Sequence, residues 1–103
     1  MKHKRIQHHG WFVGNFKGAA VESENVEVCY KVEPAGPIKP HYHTKCTETI
    51  LLVEGRLKLQ GQFFEAGSIM ILEPGEVNDT DYLENCQVIC VKIPAGGNDK
   101  VFI

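Results

Sequence analysis

Apolar and polar residues alternate with a period of two along most of this chain. Between Asn25 and Glu33, Val26, Val28, Tyr30 and Val32 take one face, while Glu27, Cys29, Lys31 and Glu33 take the other. Successive side chains of a strand point to opposite sides, so this segment predicts a half-buried strand of an antiparallel sheet. Arg56 to Gln60 repeats the pattern, with Leu57 and Leu59 opposite Arg56, Lys58 and Gln60. Thr49 to Val53 is a short run rich in leucine and β-branched residues, and Gln62-Phe63-Phe64 follows Gly61. Ser68 to Leu72 is nearly all apolar, which suits a strand in the interior of a sandwich. Gln87 to Ile93 is a last apolar strand, ended by Pro94. Glu22 to Asn25, Glu54-Gly55, Ala66-Gly67 and Glu73-Pro74-Gly75 punctuate these runs as turns. No window carries a helical period. An all-β domain of two stacked antiparallel sheets, a sandwich or small barrel, is the prediction.

Size and charge narrow this picture. A chain of 103 residues fits one domain, taken as residues 1–103 with a core over about 25–94 and an N-terminal arm over 1–20. The net charge is −2 with both signs interspersed, and Lys2-His3-Lys4-Arg5 is too short and unpatterned for a nucleic-acid footprint. No apolar run reaches the ~18 residues of a membrane span. His8, His9 and Gly10 interrupt what a signal peptide needs as an apolar core, so the expected location is the cytoplasm. Cys29, Cys46, Cys86 and Cys90 lack CxxC spacing and read as free thiols, the last two packing as small hydrophobes.

Candidate chemistry concentrates in Gly36-Pro-Ile-Lys-Pro-His41-Tyr-His43-Thr-Lys-Cys-Thr-Glu48, closed by Gly55. His41 and His43 are two apart, so on an extended segment both rings point the same way. Glu48 lies an odd step beyond His43. It joins the histidines only where Thr44 to Thr47 break the strand and reset the alternation. Two imidazoles and a carboxylate can hold a divalent cation on one side and leave the other side open. The bland alternative is two solvated histidines beside a surface charge. Cys46 falls between His43 and Glu48, with burial beside the site its expected role and direct ligation the lesser one.

The order of these residues resembles the first motif of the cupin superfamily: Gly, HxH, three or four residues, Glu, six residues, Gly. Gly67, Glu73-Pro74-Gly75 and Asn78 follow the skeleton of the second motif. They depart from it where Glu73 replaces a usual Pro, Asn78 a usual metal-binding His and Tyr82 a usual Asn. The resemblance covers roughly residues 25 to 94. It implies a cupin-type antiparallel β-sandwich or jelly-roll barrel with His41, His43 and Glu48 as metal ligands. The implied cofactor is a divalent transition metal, one of Fe, Mn, Ni, Co or Zn. Asn78 is then a weak ligand or a group that orients water or substrate. Tyr82 shares its parity and either donates a hydrogen bond inside the barrel or packs in the core.

Two functions follow from the resemblance. One is a metal-dependent enzyme acting on a small polar substrate (a sugar, carboxylate or diketone), whose catalytic residues the sequence does not identify. The other is a metal-free module that binds or senses a small molecule. Trp11, Phe12, Val13 and Phe16 either cap one end of the sandwich or contribute to a homodimer interface, as cupins commonly pair. His3, His8 and His9 read as surface residues, and Gly96 to Asp99 as a loose tail before Val101-Phe102-Ile103 packs back.

Overall fold

The structure, a computed structural model, describes every residue except Gly96, and every side chain but that of His8. Among the described residues the chain forms β1 (Trp11–Gly14), β2 (Val21–Glu22), β3 (Glu27–Glu33), β4 (Gly36–Pro37), β5 (His41–His43) and β6 (Thr47–Glu54). It continues with β7 (Arg56–Leu59), β8 (Gln62–Glu65), β9 (Ile69–Leu72), β10 (Asp81–Tyr82), β11 (Cys86–Ile93) and β12 (Lys100–Phe102). A single short 3-10 turn at His8–Gly10 is the only helical element among them. No helix is long and apolar enough to cross a membrane.

The strands build a six-stranded sheet in the order β2-β1-β3-β11-β6-β9, a four-stranded sheet β4-β10-β7-β8, and a two-stranded ladder β12-β5. All the pairings are antiparallel except β1 with β2. Leu52, Leu57 and Val88 lie at the centre of the core, with Ile50, Leu59, Met70 and Leu72 around them. Inward positions grade from charge to hydrocarbon along the long strands. On β6 they run Glu48, Ile50, Leu52, and on β11 Lys92, Cys90, Val88, Cys86. One end of the barrel is therefore a dry core and the other a polar cavity.

The structure decides which face of β3 is inside and corrects one expectation about orientation. The polar face of β3 turns inward: Cys29 is fully buried and Glu27, Lys31 and Glu33 line the cavity, while Val32 is 65% exposed. Ser68 to Leu72 is not an interior strand on both sides, since only Met70 and Leu72 are buried and Ile69 and Ile71 are exposed. Alternation separates the two faces of a strand, but the layer packed against it decides which one is inside. The end of the barrel that holds water-seeking groups draws in the charged side of β3. The apolar side is left on the outer surface.

The ends also settle into place. β1 pairs with β3, and Trp11 and Phe16 line the polar cavity, so part of the aromatic group caps the barrel from within. The expectation of a loose tail is corrected at Asp99, which is buried and fixed by hydrogen bonds. Gly96, part of that expectation, lies outside the described residues, as does the side chain of His8. All four cysteines are buried with free thiols, and Cys29 faces Cys90 across β3 and β11.

Candidate metal centre

His41 and His43 occupy the two ends of β5 and point the same way, as their spacing requires. The strand then breaks at Thr44 to Cys46 before β6 begins at Thr47, and this break brings Glu48 round to the histidine side. Ligand atoms of His41, His43 and Glu48 all lie within 4.8 Å of one another. The three residues are 8%, 6% and 6% exposed, and the imidazole rings meet edge to face at 5.5 Å.

The hydrogen bonds fix how each ring is presented. Nδ1 of His41 lies 3.0 Å from the carbonyl oxygen of Lys39, which can only accept, so Nδ1 carries the proton and Nε2 keeps its lone pair. Nδ1 of His43 donates to Oδ1 of Asp99 at 2.8 Å, which turns its Nε2 towards His41 and Glu48. Outer partners of this kind orient ligating histidines and make them better donors. Burial, opposed by the bond to the Lys39 carbonyl, lowers the His41 pKa and favours the neutral ring that a metal needs. Nε2 of His43 and Oε1 of Glu48 are buried without any hydrogen-bond partner among the described residues. Orphaned groups of this sort are rare in folded proteins, because each forfeits its hydration. A cation between them would satisfy both, so the donor set fits a divalent metal.

Asp99 is the group the sequence did not reveal. Besides His43, its carboxylate accepts from the backbone N–H of Cys46 at 3.0 Å and of Lys45 at 3.1 Å. Burial raises its pKa, but the bonds from His43, Cys46 and Lys45 outweigh this and hold the carboxyl well below its ordinary value. It thus clasps the very break that repositions Glu48. Cys46 lies in the same group, its ligand atom within 4.8 Å of those of His43 and Asp99. Burial, then the nearby Asp99 charge, pushes its thiol pKa up to about 12, and its place is beside the clasp as a buried thiol.

Asn78 pairs with His41 through two backbone hydrogen bonds, which sets it next to the ligands where the sequence skeleton had it. Its side-chain oxygen accepts from Thr80 N at 3.1 Å and Thr80 Oγ1 at 2.5 Å. The one atom able to coordinate a cation is therefore engaged with Thr80. Tyr82 is buried and lines the cavity, with its phenol pKa raised by burial. Asp79 and Glu73 are exposed and bond to Gln60 N and Thr47 Oγ1, outside the site.

The cavity that opens beyond these residues has a volume of about 730 Å³, within the range of small-molecule sites. Four lysines line it, and each ammonium stands over an aromatic ring. Lys92 and Lys31 lie 4.7 and 5.5 Å from the centre of Trp11, and Lys39 and Lys100 lie 4.6 and 5.7 Å from that of Phe102. None of these lysines was singled out in the sequence. The alternation of β3 places Lys31 on the cavity side once that side is known, but Lys92 sits in an apolar run that gives no such sign.

Neither a family model nor a curated protein matches the chain. Solved structures do. A protein with a double-stranded β-helix domain from Klebsiella pneumoniae superposes with a TM-score of 0.68 at 22% identity, over 80% of this chain and 73% of that one. KdgF from Halomonas sp. gives 0.63 at 18% identity, over 70% and 72%. The DMSP lyase DddQ from Ruegeria pomeroyi gives 0.70 at 16% identity over 86% of this chain, which spans 47% of that protein. The fold is that of a small cupin domain, a double-stranded β-helix, as the motif resemblance implied.

Proposed function

We propose that this protein is a metal-dependent cupin enzyme that acts on a small polar molecule. His41, His43 and Glu48 would hold a divalent transition metal. The observation that carries the reading is the pair of buried, unpartnered atoms, His43 Nε2 and Glu48 Oε1, converging beside a basic Nε2 of His41. When bound, such an ion supplies Lewis acidity at positions the protein leaves open. This chain's own residues bind and orient. The Asp99 carboxylate and the Lys39 carbonyl keep the imidazole protons on Nδ1, and Asn78, Trp11 and Phe102 line the cavity that would receive the substrate. Enzymes among the similar structures include a DMSP lyase and an oxalate decarboxylase from Bacillus subtilis, in keeping with a catalytic role.

Metal content of untagged protein tests this. Wild type is expected to bind close to one equivalent of a transition metal and His41→Ala less than about a tenth, with both folded. Asn78→His should tighten binding by about tenfold or more, because it adds an imidazole next to His41. Wild type that stays below about a tenth of an equivalent under saturating metal favours the metal-free sensing module instead.

Residence in the cytoplasm and a homodimer belong to the same proposal. With Trp11 turned into the cavity, the surface that supports pairing is the outer face of the six-stranded sheet rather than the N-terminal aromatics. Val32, Ile69, Ile71 and Ile93 are each more than half exposed there, and β9 is a free sheet edge. Light scattering should give a dimer for wild type and a monomer for the double substitution Ile69→Lys, Ile71→Lys. A wild-type monomer at micromolar concentration would remove the dimer.

A further inference from the structure

We infer that the molecule this site receives is a small carboxylate, with its acid group taken by Lys92 and Lys31 beside Trp11 and by Lys100 beside Phe102. The inference rests on the metal reading above and deepens it to a substrate class. Lys92 is 8% exposed, and its Cα is in register with Glu48 on one side and Glu27 on the other. Yet among the described residues no carboxylate oxygen comes within 4 Å of its ammonium, which stands over Trp11 instead. Lys31 reaches the same ring from β3, and Lys100 enters from β12, paired with His43. The three charges sense one another. Burial, then Lys92, then Lys31 lowers the Lys100 pKa.

Burying an ammonium without a counter-ion is unfavourable, and crowding several is more so. The cavity's own carboxylates do not close the account once a metal is bound. Glu27, Glu33 and Glu48 line it, with Asp99 behind His43, against Lys31, Lys39, Lys92 and Lys100; these charges balance by themselves, and a divalent metal on Glu48 leaves an excess of two positive charges. A neutral sugar or diketone would leave those charges unmatched. An oxyanion bridging the lysines would relieve their repulsion and form charge-assisted hydrogen bonds in a partly dry site. The orphaned ligand atoms and the unpaired lysines are independent features of one cavity, and a carboxylate beside the metal answers both.

Trp11 is the only tryptophan of the chain, so its fluorescence reports occupancy directly. The experiment titrates desalted, metal-loaded protein with malonate, pyruvate and acetate, and with neutral malonamide, while metal content is measured separately. At least one carboxylate is expected to change the Trp11 emission saturably, at least tenfold more tightly than malonamide. Lys92→Gln and Lys100→Gln should each weaken that carboxylate at least tenfold with metal content unchanged, whereas Lys58→Gln, on β7 over Phe63 and outside the cavity lining, should not. Lys100 lies at the exposed mouth, so its variant reads out even where the buried Lys92 substitution disturbs folding. Metal bound as expected, with malonamide equal to malonate or with the lysine variants unaffected, overturns the inference and leaves the metal centre standing. Wild type without metal but with lysine-dependent carboxylate binding removes the metal reading and supports the anion site. No response to any of the carboxylates, with or without metal, overturns the anion site.

Discussion

Asp99→Ala is expected to lower the melting temperature by about 12 to 40 °C and to weaken metal binding about 10- to 100-fold. The substitution leaves two buried donors, His43 Nδ1 and the backbone N–H of Cys46, and the part-buried N–H of Lys45 without an acceptor. Unpaired groups of this kind cost about 1 to 3 kcal/mol each, and water entering the gap recovers part, so a net loss of about 3 to 5 kcal/mol follows. For a domain of this size each kcal/mol corresponds to about 4 to 8 °C. The affinity loss has a separate origin, since His43 then has no fixed tautomer. Differential scanning calorimetry and metal titration measure the two effects. A melting temperature within about 5 °C of wild type would dismiss the clasp.

The same carboxylate gives the wild type a pH dependence of known sign. Its pKa is lower folded than unfolded, so between the two values the unfolded chain binds more protons. The stability it contributes is complete above the ordinary aspartate value of about 3.9 and drains away as the pH falls below it. Asp99→Asn should flatten that acid limb of the melting curve. An unchanged slope in the variant would assign the acid sensitivity to other groups.

Gly55→Ala is the second large effect expected, a loss of about 2 to 4 kcal/mol. Gly55 has φ +99°, a backbone conformation that side chains rarely take. A Cβ there would also stand 2.5 Å from Cys86 Sγ, 2.8 Å from the carbonyl oxygen of Asn85 and 3.1 Å from Cys86 Cα, and the two backbone atoms cannot swing aside as the end of a side chain can. Strain of about 1 to 3 kcal/mol adds to overpacking of similar size, and the smaller entropy of the unfolded alanine chain offsets a little. The turn between β6 and β7 would shift, and with it the strand that carries Glu48. Urea unfolding at constant metal concentration checks the figure. A midpoint equal to wild type would show that the turn relaxes freely.

How far the sequence reaches differs from residue to residue. His41 and His43 were readable because parity on a strand is a local property, and so was the break that Glu48 demands. Gly55 was readable as the close of that motif, and the structure supplies its reason in the turn against Asn85. Asp99 was not, because it lies more than fifty residues from its partners behind a glycine-rich stretch that reads as loose. Nothing local says that a lone aspartate will be drawn into a buried pocket. The slot next to His41 was visible in the spacing of Asn78, but the capture of its oxygen by Thr80 depends on side-chain torsions that spacing does not express. The inward face of β3 was not legible for a related cause. Valines mark one side as apolar, and only the polar cavity across the barrel draws the charged side in.

The short ladder between β5 and β12 carries a last consequence. Lys100 stands opposite His43 and Phe102 opposite His41, with Val101 between them facing away. Sliding β12 by a single residue would present Val101 to the interior and rotate both the ammonium and the ring out to solvent. Three residues of pairing are little to prevent that, and the neighbouring Asp99, locked onto His43, supplies the missing alignment. One acidic side chain thus indexes the strand as well as the imidazole, so the composition of the chamber is decided by where that strand stops.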